Sequence, residues 1–204
     1  MYIVCPDLEG ILVPEIWISV AEKTGIEELW LTTRDIPDYD QLMKRRLEIL
    51  KRANLRITDI QEIIQSINPL DGAIEFLDWI RDRFQLIILS DTFVEFADPI
   101  LKKLNRPTIF CNSLVIDPDG TIVNYQLRQR DGKRYVIKAL KGLGFKVIAI
   151  GDSYNDTTML SEANQGILFR PPENIKREFP YYPVIEIYEE LKAELARYLE
   201  KGIE

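Results

Sequence analysis

Tyr2-Ile3-Val4-Cys5-Pro6-Asp7-Leu8-Glu9-Gly10-Ile11-Leu12-Val13 is the stretch that decides the fold, because a short apolar run leads straight into two carboxylates, Asp7 and Glu9, separated by one residue. An extended chain puts alternate side chains on one face, so Asp7 and Glu9 share a direction if the strand persists, while Gly10 lets other backbone approach closely. A carboxylate at such a strand end is placed to accept a phosphoryl group. By itself, Asp-x-Glu after an apolar run is more often a polar strand end or turn, so the rest of the chain has to decide.

Comparable runs rich in Ile, Val and Leu recur at 86–89, 108–111, 147–150 and 166–169, separated by segments of helical periodicity. Nearly continuous apolar runs suit parallel strands covered by helices on both faces, so the fold class is α/β, a Rossmann-like parallel sheet. The alternation stops between 14 and 68, where helices are expected at 14–23, 38–53 and 59–67. Pro14 suits a first helical turn, Gly25 a helix end, Pro37 the residue before the second helix, and Thr58 with Gln61 a capping box. We read 14–68 as a helical cap inserted into a core of 1–13 and 69–204, with Asn68-Pro69 as the turn back. Asp117-Pro118-Asp119-Gly120 divides 114–116 from 122–125 as a small hairpin, and 187–198 closes the chain as an amphipathic helix.

Composition narrows the function. The chain of 204 residues, 46% hydrophobic with a formal charge of -7, has apolar content for a full core and the wrong sign for nucleic acid or an anionic membrane as main partner. It contains no histidine, so acid–base work falls to carboxylates, Lys, Tyr or Cys, and imidazole triads and His-based zinc sites are excluded. Cys5 and Cys111 are too few for a disulfide framework, and Cys5 reads as a buried free thiol; a reducing cytoplasm is the expected location. No basic-then-apolar leader and no apolar stretch of membrane-spanning length is expected. Trp17, Trp30 and Tyr39 read as packing residues, and Tyr181-Tyr182 as a weak pointer to a homo-oligomer interface.

Three further clusters fall at strand ends or helix starts. Ser90-Asp91-Thr92 follows an apolar run, where a hydroxyl and helix N-terminal amides can hold a phosphate oxygen or simply cap a helix. Gly151-Asp152-Ser153-Tyr154-Asn155-Asp156 carries two acids four apart, only one of which can cap, so the pattern resembles hard-cation ligation. Lys133 alone reads as a solvated helix-start charge, yet a fixed ammonium there would balance phosphate. Ligands of open parallel sheets bind beyond the carboxyl ends of the strands, where all these clusters converge. Carboxylates brought that close repel by roughly 4 kcal/mol per pair at 4 Å and an effective dielectric near 20, and a divalent cation relieves the strain. Oxygen ligands without Cys or His favour Mg²⁺.

The order Asp-x-acid, Ser, Lys, then Gly-Asp-x-x-x-Asp resembles the haloacid dehalogenase superfamily, with 14–68 matching its cap. Residues 7–15 together with 151–156 are most similar to the bacterial phosphoserine phosphatases that also act as phosphoserine:homoserine phosphotransferases. Glu9 stands where a second Asp is usual, Asp91 follows Ser90 where glycine is common, and Ile11 replaces a frequent threonine. The resemblance implies Asp7 as nucleophile, Glu9 as proton donor and acceptor, and Asp7, the Glu9 carbonyl and Asp152 as Mg²⁺ ligands. It implies a phosphate site at Ser90, Asp91, Lys133 and Asn155, with Asp156 supporting Lys133. Glu15 would meet the substrate ammonium and Arg46 its carboxylate, with Arg45 as the alternative arginine. The implied substrate is phosphoserine, with homoserine as a second acceptor. A phosphatase for another small phosphate ester and a non-catalytic amino-acid or phosphate binder stay open.

Overall fold

In β1 (Tyr2–Pro6), Ile3 and Cys5 point into one hydrophobic cluster and Val4 into another, which is the pattern of a strand buried on both faces. The same alternation divides Val147 and Ala149 from Ile148 and Ile150 in β6 (Lys146–Gly151). The structure is a computed structural model describing residues 1–32, 35–36 and 38–203. Pro37, expected before the second helix, lies outside the described residues.

Between the strands of the sheet the chain forms α1 (Ile16–Thr24), α2 (Tyr39–Arg52), α3 (Ile57–Gln65), α4 (Ala73–Arg81), β2 (Gln85–Leu86), β3 (Ile88–Phe93), α5 (Val94–Lys103), β4 (Ile109–Ile116), β5 (Ile122–Gln126) and α6 (Gly132–Gly142). After β6 come α7 (Thr157–Glu162), β7 (Gln165–Phe169), α8 (Glu173–Glu178), β8 (Val184–Ile185) and α9 (Tyr188–Lys201). Five parallel strands run in the order β2-β1-β6-β7-β8, and β3-β4-β5 forms a second sheet in which β3 and β4 are parallel and β4 and β5 antiparallel. No helix among the described residues is long and apolar enough to cross a membrane.

Several expectations change in detail. The strand expected at 86–89 changes partner midway: Leu86 pairs with β1, the Ile87 amide still reaches the Val4 carbonyl at 3.2 Å, and Ile88 pairs with β4. That strand then runs on through Ser90-Asp91-Thr92 to Phe93, because Thr92 and Phe93 favour extended chain, so α5 begins only at Val94. The runs at 108–111 and 114–116 merge into β4, which pairs with β3 at its start and with β5 beyond it; Gly120 (φ 87°) closes the hairpin turn on the Asp117 carbonyl.

The helical segment after β1 returns to its origin, since the Leu70 amide donates to the Leu12 carbonyl at 2.9 Å. Pro14 lies outside α1 rather than in its first turn: Glu15 occupies the N-cap position and the Glu9 carboxylate accepts the Ile16 amide at 2.8 Å. Gly25 does end α1, at φ 69°. The capping box of α3 is formed by Arg56 and Asp59, whose carboxylate accepts the Arg56 amide at 2.7 Å, and Thr58 lies inside the helix. Asp38 caps α2 by accepting the Gln41 amide at 3.0 Å.

Tyr188, at the start of α9, stacks against Phe76 and Phe169 and donates its hydroxyl to the Ile11 carbonyl at 2.5 Å. It thus fastens the loop that follows Asp7. Tyr188→Phe keeps the stacking and leaves a buried carbonyl unpartnered, so urea unfolding should show a loss of about 1–3 kcal/mol; an unchanged midpoint would show that the bond carries no stability.

Candidate active site

Asp7 directly follows β1, and its amide donates to the Ile150 carbonyl of β6 at 2.9 Å, fixing the first acidic motif beside the second. Its Oδ1 accepts the Leu8 amide at 2.7 Å and its Oδ2 meets Lys133 Nζ at 2.9 Å. Lys133 is buried at the first turn of α6, where the helix dipole disfavours a cation. Three carboxylates offset that position: Asp156 at 2.8 Å, Asp7 at 2.9 Å and Asp91 at 3.3 Å. Burial pulls the lysine down, but Asp156, Asp7 and Asp91 together hold it well above its ordinary value. Burial likewise pushes Asp7 well up, with Lys133 opposing and Asp156, Asp152 and Asp91 adding to the rise.

Asp156 is fully buried and already engaged through both oxygens, Oδ1 by Lys133 and Oδ2 by the amides of Asp152 at 3.0 Å and Ser153 at 3.2 Å. Asp152 is pushed up to about 7 by burial, then by Asp156 and Glu15. Gly10 (φ 75°) makes the approach of the two motifs possible, since a Cβ there would fall 2.5 Å from an Asp152 carboxylate oxygen. One carboxylate oxygen from each of Asp7, Asp152 and Asp156 lies within 4.8 Å of the others, an all-oxygen group able to hold a hard cation.

Ser90 is buried in β3 and its hydroxyl accepts the Thr92 amide at 3.2 Å. It stands in extended chain, so the amides of the α5 N-terminus are not beside it as the sequence suggested. Asn155 donates to Asp91 Oδ2 at 3.2 Å, and the Asp91 carbonyl accepts from Asn112 at 3.0 Å and from Tyr39 at 3.3 Å.

A cavity of about 460 Å³ brings Asp7, Glu9, Ser90, Asp91, Asp152 and Asn155 to face Glu15 and Arg46. Lys133 and Asp156 do not line it and reach it through the ion pairs of Lys133 with Asp7 and Asp91. Glu9 is pushed up to about 8 by burial and then by Glu15, against the Ile16 amide that it accepts. Arg46 is buried, whereas Arg45 is exposed and outside the cavity. Helical phase explains the choice: Leu42, Met43, Leu47 and Leu50 form the buried stripe of α2, and Arg46 lies on it. Its guanidinium sits 4.6 Å over the Trp17 ring, Nη2 donates to the Leu31 carbonyl at 2.9 Å, and Nε has no hydrogen-bond partner among the described residues. Burial lowers Arg46 to about 10.

The sequence reading missed Tyr39 and Arg170 as cavity residues. Arg170 directly follows β7, so the strand-end rule that found Asp7 and Asp152 also points to it. Tyr39 was read as packing, and it does meet Tyr125 edge-on, but its hydroxyl also faces the site. Trp17 packs as expected, edge-on to Phe96, while Trp30 is exposed.

A parallel sheet with an acidic, lysine-centred pit at its carboxyl edge defines an α/β enzyme of the open-sheet class. A family model described as haloacid dehalogenase-like hydrolase matches residues 14–164, well over half of the chain. The chain belongs to the haloacid dehalogenase-like hydrolases. Phosphoserine phosphatase ThrH of Pseudomonas aeruginosa is 59% identical over 197 residues, covering 97% of this chain and 96% of its own. A phosphoserine phosphatase of Pseudomonas syringae pv. tomato is 56% identical over 195 residues, covering 96% of this chain and 82% of its own. A solved structure described as a phospho-aspartyl intermediate analogue of phosphoserine phosphatase shares the fold with a TM-score of 0.75 at 23% identity, covering 98% of this chain and 97% of that one.

Lys133→Met removes the one buried cation among these carboxylates and leaves Asp7 and Asp156 without it. Chemical denaturation at neutral pH in chelator should show a loss of about 3–5 kcal/mol, the cost of stranding a buried charge. Wild-type stability in this variant would mean that the lysine is not the keystone of the pit.

Proposed function

We propose that the protein is a Mg²⁺-dependent phosphoserine phosphatase acting through an aspartyl phosphate on Asp7, with homoserine as a second phosphoryl acceptor. The observation that carries this reading is that one cavity joins the Asp7 carboxylate on one side to an acid and a base, Glu15 and Arg46, on the other. A phosphorylated amino acid presents a phosphate, an ammonium and a carboxylate, which that arrangement matches in charge. The relatives named phosphoserine phosphatase support the same substrate.

Residues 14–68 act as the cap that supplies Glu15 and Arg46. Arg46 binds the substrate carboxylate through its fork of N–H donors, and Glu15 the ammonium. Ser90, Asn155 and Lys133 hold the phosphoryl oxygens. Asp91 contributes through its backbone, because its carboxylate carries the same charge as phosphate and already occupies Lys133 and Asn155. Asp7 and Asp152, with the Glu9 carbonyl, would hold Mg²⁺, while the fully buried Asp156 supports Lys133 and the amides of Asp152 and Ser153. The cation supplies charge neutralisation for the phosphoryl group and lets the neighbouring carboxylates stay ionised.

In the first step an Asp7 oxygen forms a bond to phosphorus as the bond to the serine oxygen breaks, and Glu9 gives its proton to that oxygen. In the second, water forms the new bond to phosphorus, Glu9 takes its proton and Asp7 is released. Homoserine, one methylene longer than serine, can place its hydroxyl where the serine oxygen left.

With phosphoserine and Mg²⁺, Asp7→Asn should abolish phosphate release and Glu9→Gln should slow it by roughly 10² to 10⁴. Near-normal turnover by pure Asp7→Asn would sink the mechanism. The same assay with homoserine added, following free phosphate and phosphohomoserine together, separates a phosphatase from a phosphotransferase; binding without release would favour a non-catalytic binder. Arg46→Ala should raise KM for phosphoserine by about tenfold or more, the scale of one lost charge-assisted contact, and leave slow hydrolysis of an ester that has no carboxylate unaffected. Equal losses on both esters would remove Arg46 from carboxylate recognition.

A further inference from the structure

A second and larger cavity, of about 720 Å³, adjoins the reaction pit and shares Tyr39, Ser90, Asp91 and Asn155 with it, and most of its remaining lining plays no part in the proposed reaction. It is lined on one side by Ser90, Asp91, Lys133 and Asn155, and its apolar surface is formed by Phe110, Cys111 and Leu127. Two guanidiniums, of Arg128 and Arg130, line it on the hairpin side. The volume is that of a small-molecule site, in which an apolar lining with a few placed charges is the usual composition.

The charges have a definite sign. Asp91 is spent on Lys133 and Asn155, and Asp131 is spent on Thr158 at 2.7 Å and Arg134 at 3.7 Å. Arg128 and Arg130 pair with no carboxylate among the described residues. In a chain with a formal charge of -7, two such arginines beside one cavity are a local inversion. Arg128 is also held in place: its amide donates to Asn112 Oδ1 at 3.1 Å and its guanidinium lies 5.0 Å over the Phe110 ring. A guanidinium positioned on an aromatic face at the edge of an apolar floor can grip an anionic head while the floor takes the body of the ligand.

We propose that this cavity binds a small amphipathic anion, a carboxylate or sulfonate on an aromatic or branched apolar body, with Arg128 on the charged group and Leu127 against the apolar part. Because Tyr39, Ser90, Asp91 and Asn155 line both spaces, the ligand would rest against side chains that also border the reaction pit. Binding is read without turnover, so the inference stands or falls apart from the phosphoserine reading.

The test is calorimetric and fluorescence titration of the full chain with anilinonaphthalene sulfonate. The wild type should take up one probe per chain. Arg128→Ala should weaken it by about tenfold or more, and Leu127→Glu, which adds a carboxylate at an exposed position of the wall, should abolish saturable binding. Arg46→Ala, whose side chain lines only the other cavity, should bind as the wild type. Cooperative unfolding of each variant guards against probe uptake by a loosened core. Absence of saturable binding by the wild type, wild-type affinity in Arg128→Ala, or loss confined to Arg46→Ala would overturn the proposal.

Discussion

A single buried ammonium holds the active end of this molecule together. Lys133 draws on Asp7 from the end of β1, Asp91 from β3 and Asp156 from the turn after β6, so three separate stretches of chain converge on one charge. Removing that charge would leave buried carboxylates that repel one another, which is why the geometry of the pit and the stability of the fold are linked. The three partners are not equivalent. Asp156 is fully enclosed and Asp7 nearly so, whereas the Asp91 side chain is 43% exposed. In the proposed reaction an incoming phosphoryl group would compete for Lys133 with its most hydrated partner first, because that carboxylate loses least by returning to water. Asp91 is therefore the part of the pit free to yield.

Asp91 also lines both cavities, together with Tyr39, Ser90 and Asn155. Its carbonyl is fixed twice, by Asn112 and by Tyr39, while its carboxylate rests on Lys133 and Asn155. The backbone is thus held and the charged end is left to respond. With glycine after Ser90, no side chain would stand here to couple the two spaces.

The sheet was legible because strands buried on both faces cannot alternate, and their continuous apolar runs announce both the strand and the end at which Asp7 and Asp152 sit. Arg46 entered only through the family resemblance, with Arg45 left open, although the apolar stripe of α2 includes the first and excludes the second. What failed to show were pairings decided at a distance. The switch at Ile87 depends on which strand lies on each side, and the extension of β3 through Ser90 depends on β4 being there to receive Phe93. The cap of α1 came from Glu9, beyond the local window in which capping rules are read. Tyr39 was hidden for a different reason: packing and facing a cavity are compatible in one side chain, and sequence pattern reports only the first.

Arg46 shows how such a site prepares for its ligand. A guanidinium stacked on Trp17, bound once to a carbonyl and with Nε unpartnered, has lost hydration that its neighbours do not fully replace. Glu9 and Glu15 partly compensate its charge from across the cavity. A carboxylate arriving in that space would complete the missing contact with little ordering of the arginine, since the stripe of α2 already fixes it. In the proposed reading, selectivity for an amino-acid ester would follow from the desolvation already imposed on Arg46 by folding, and an ester lacking the carboxylate would leave that deficit in place.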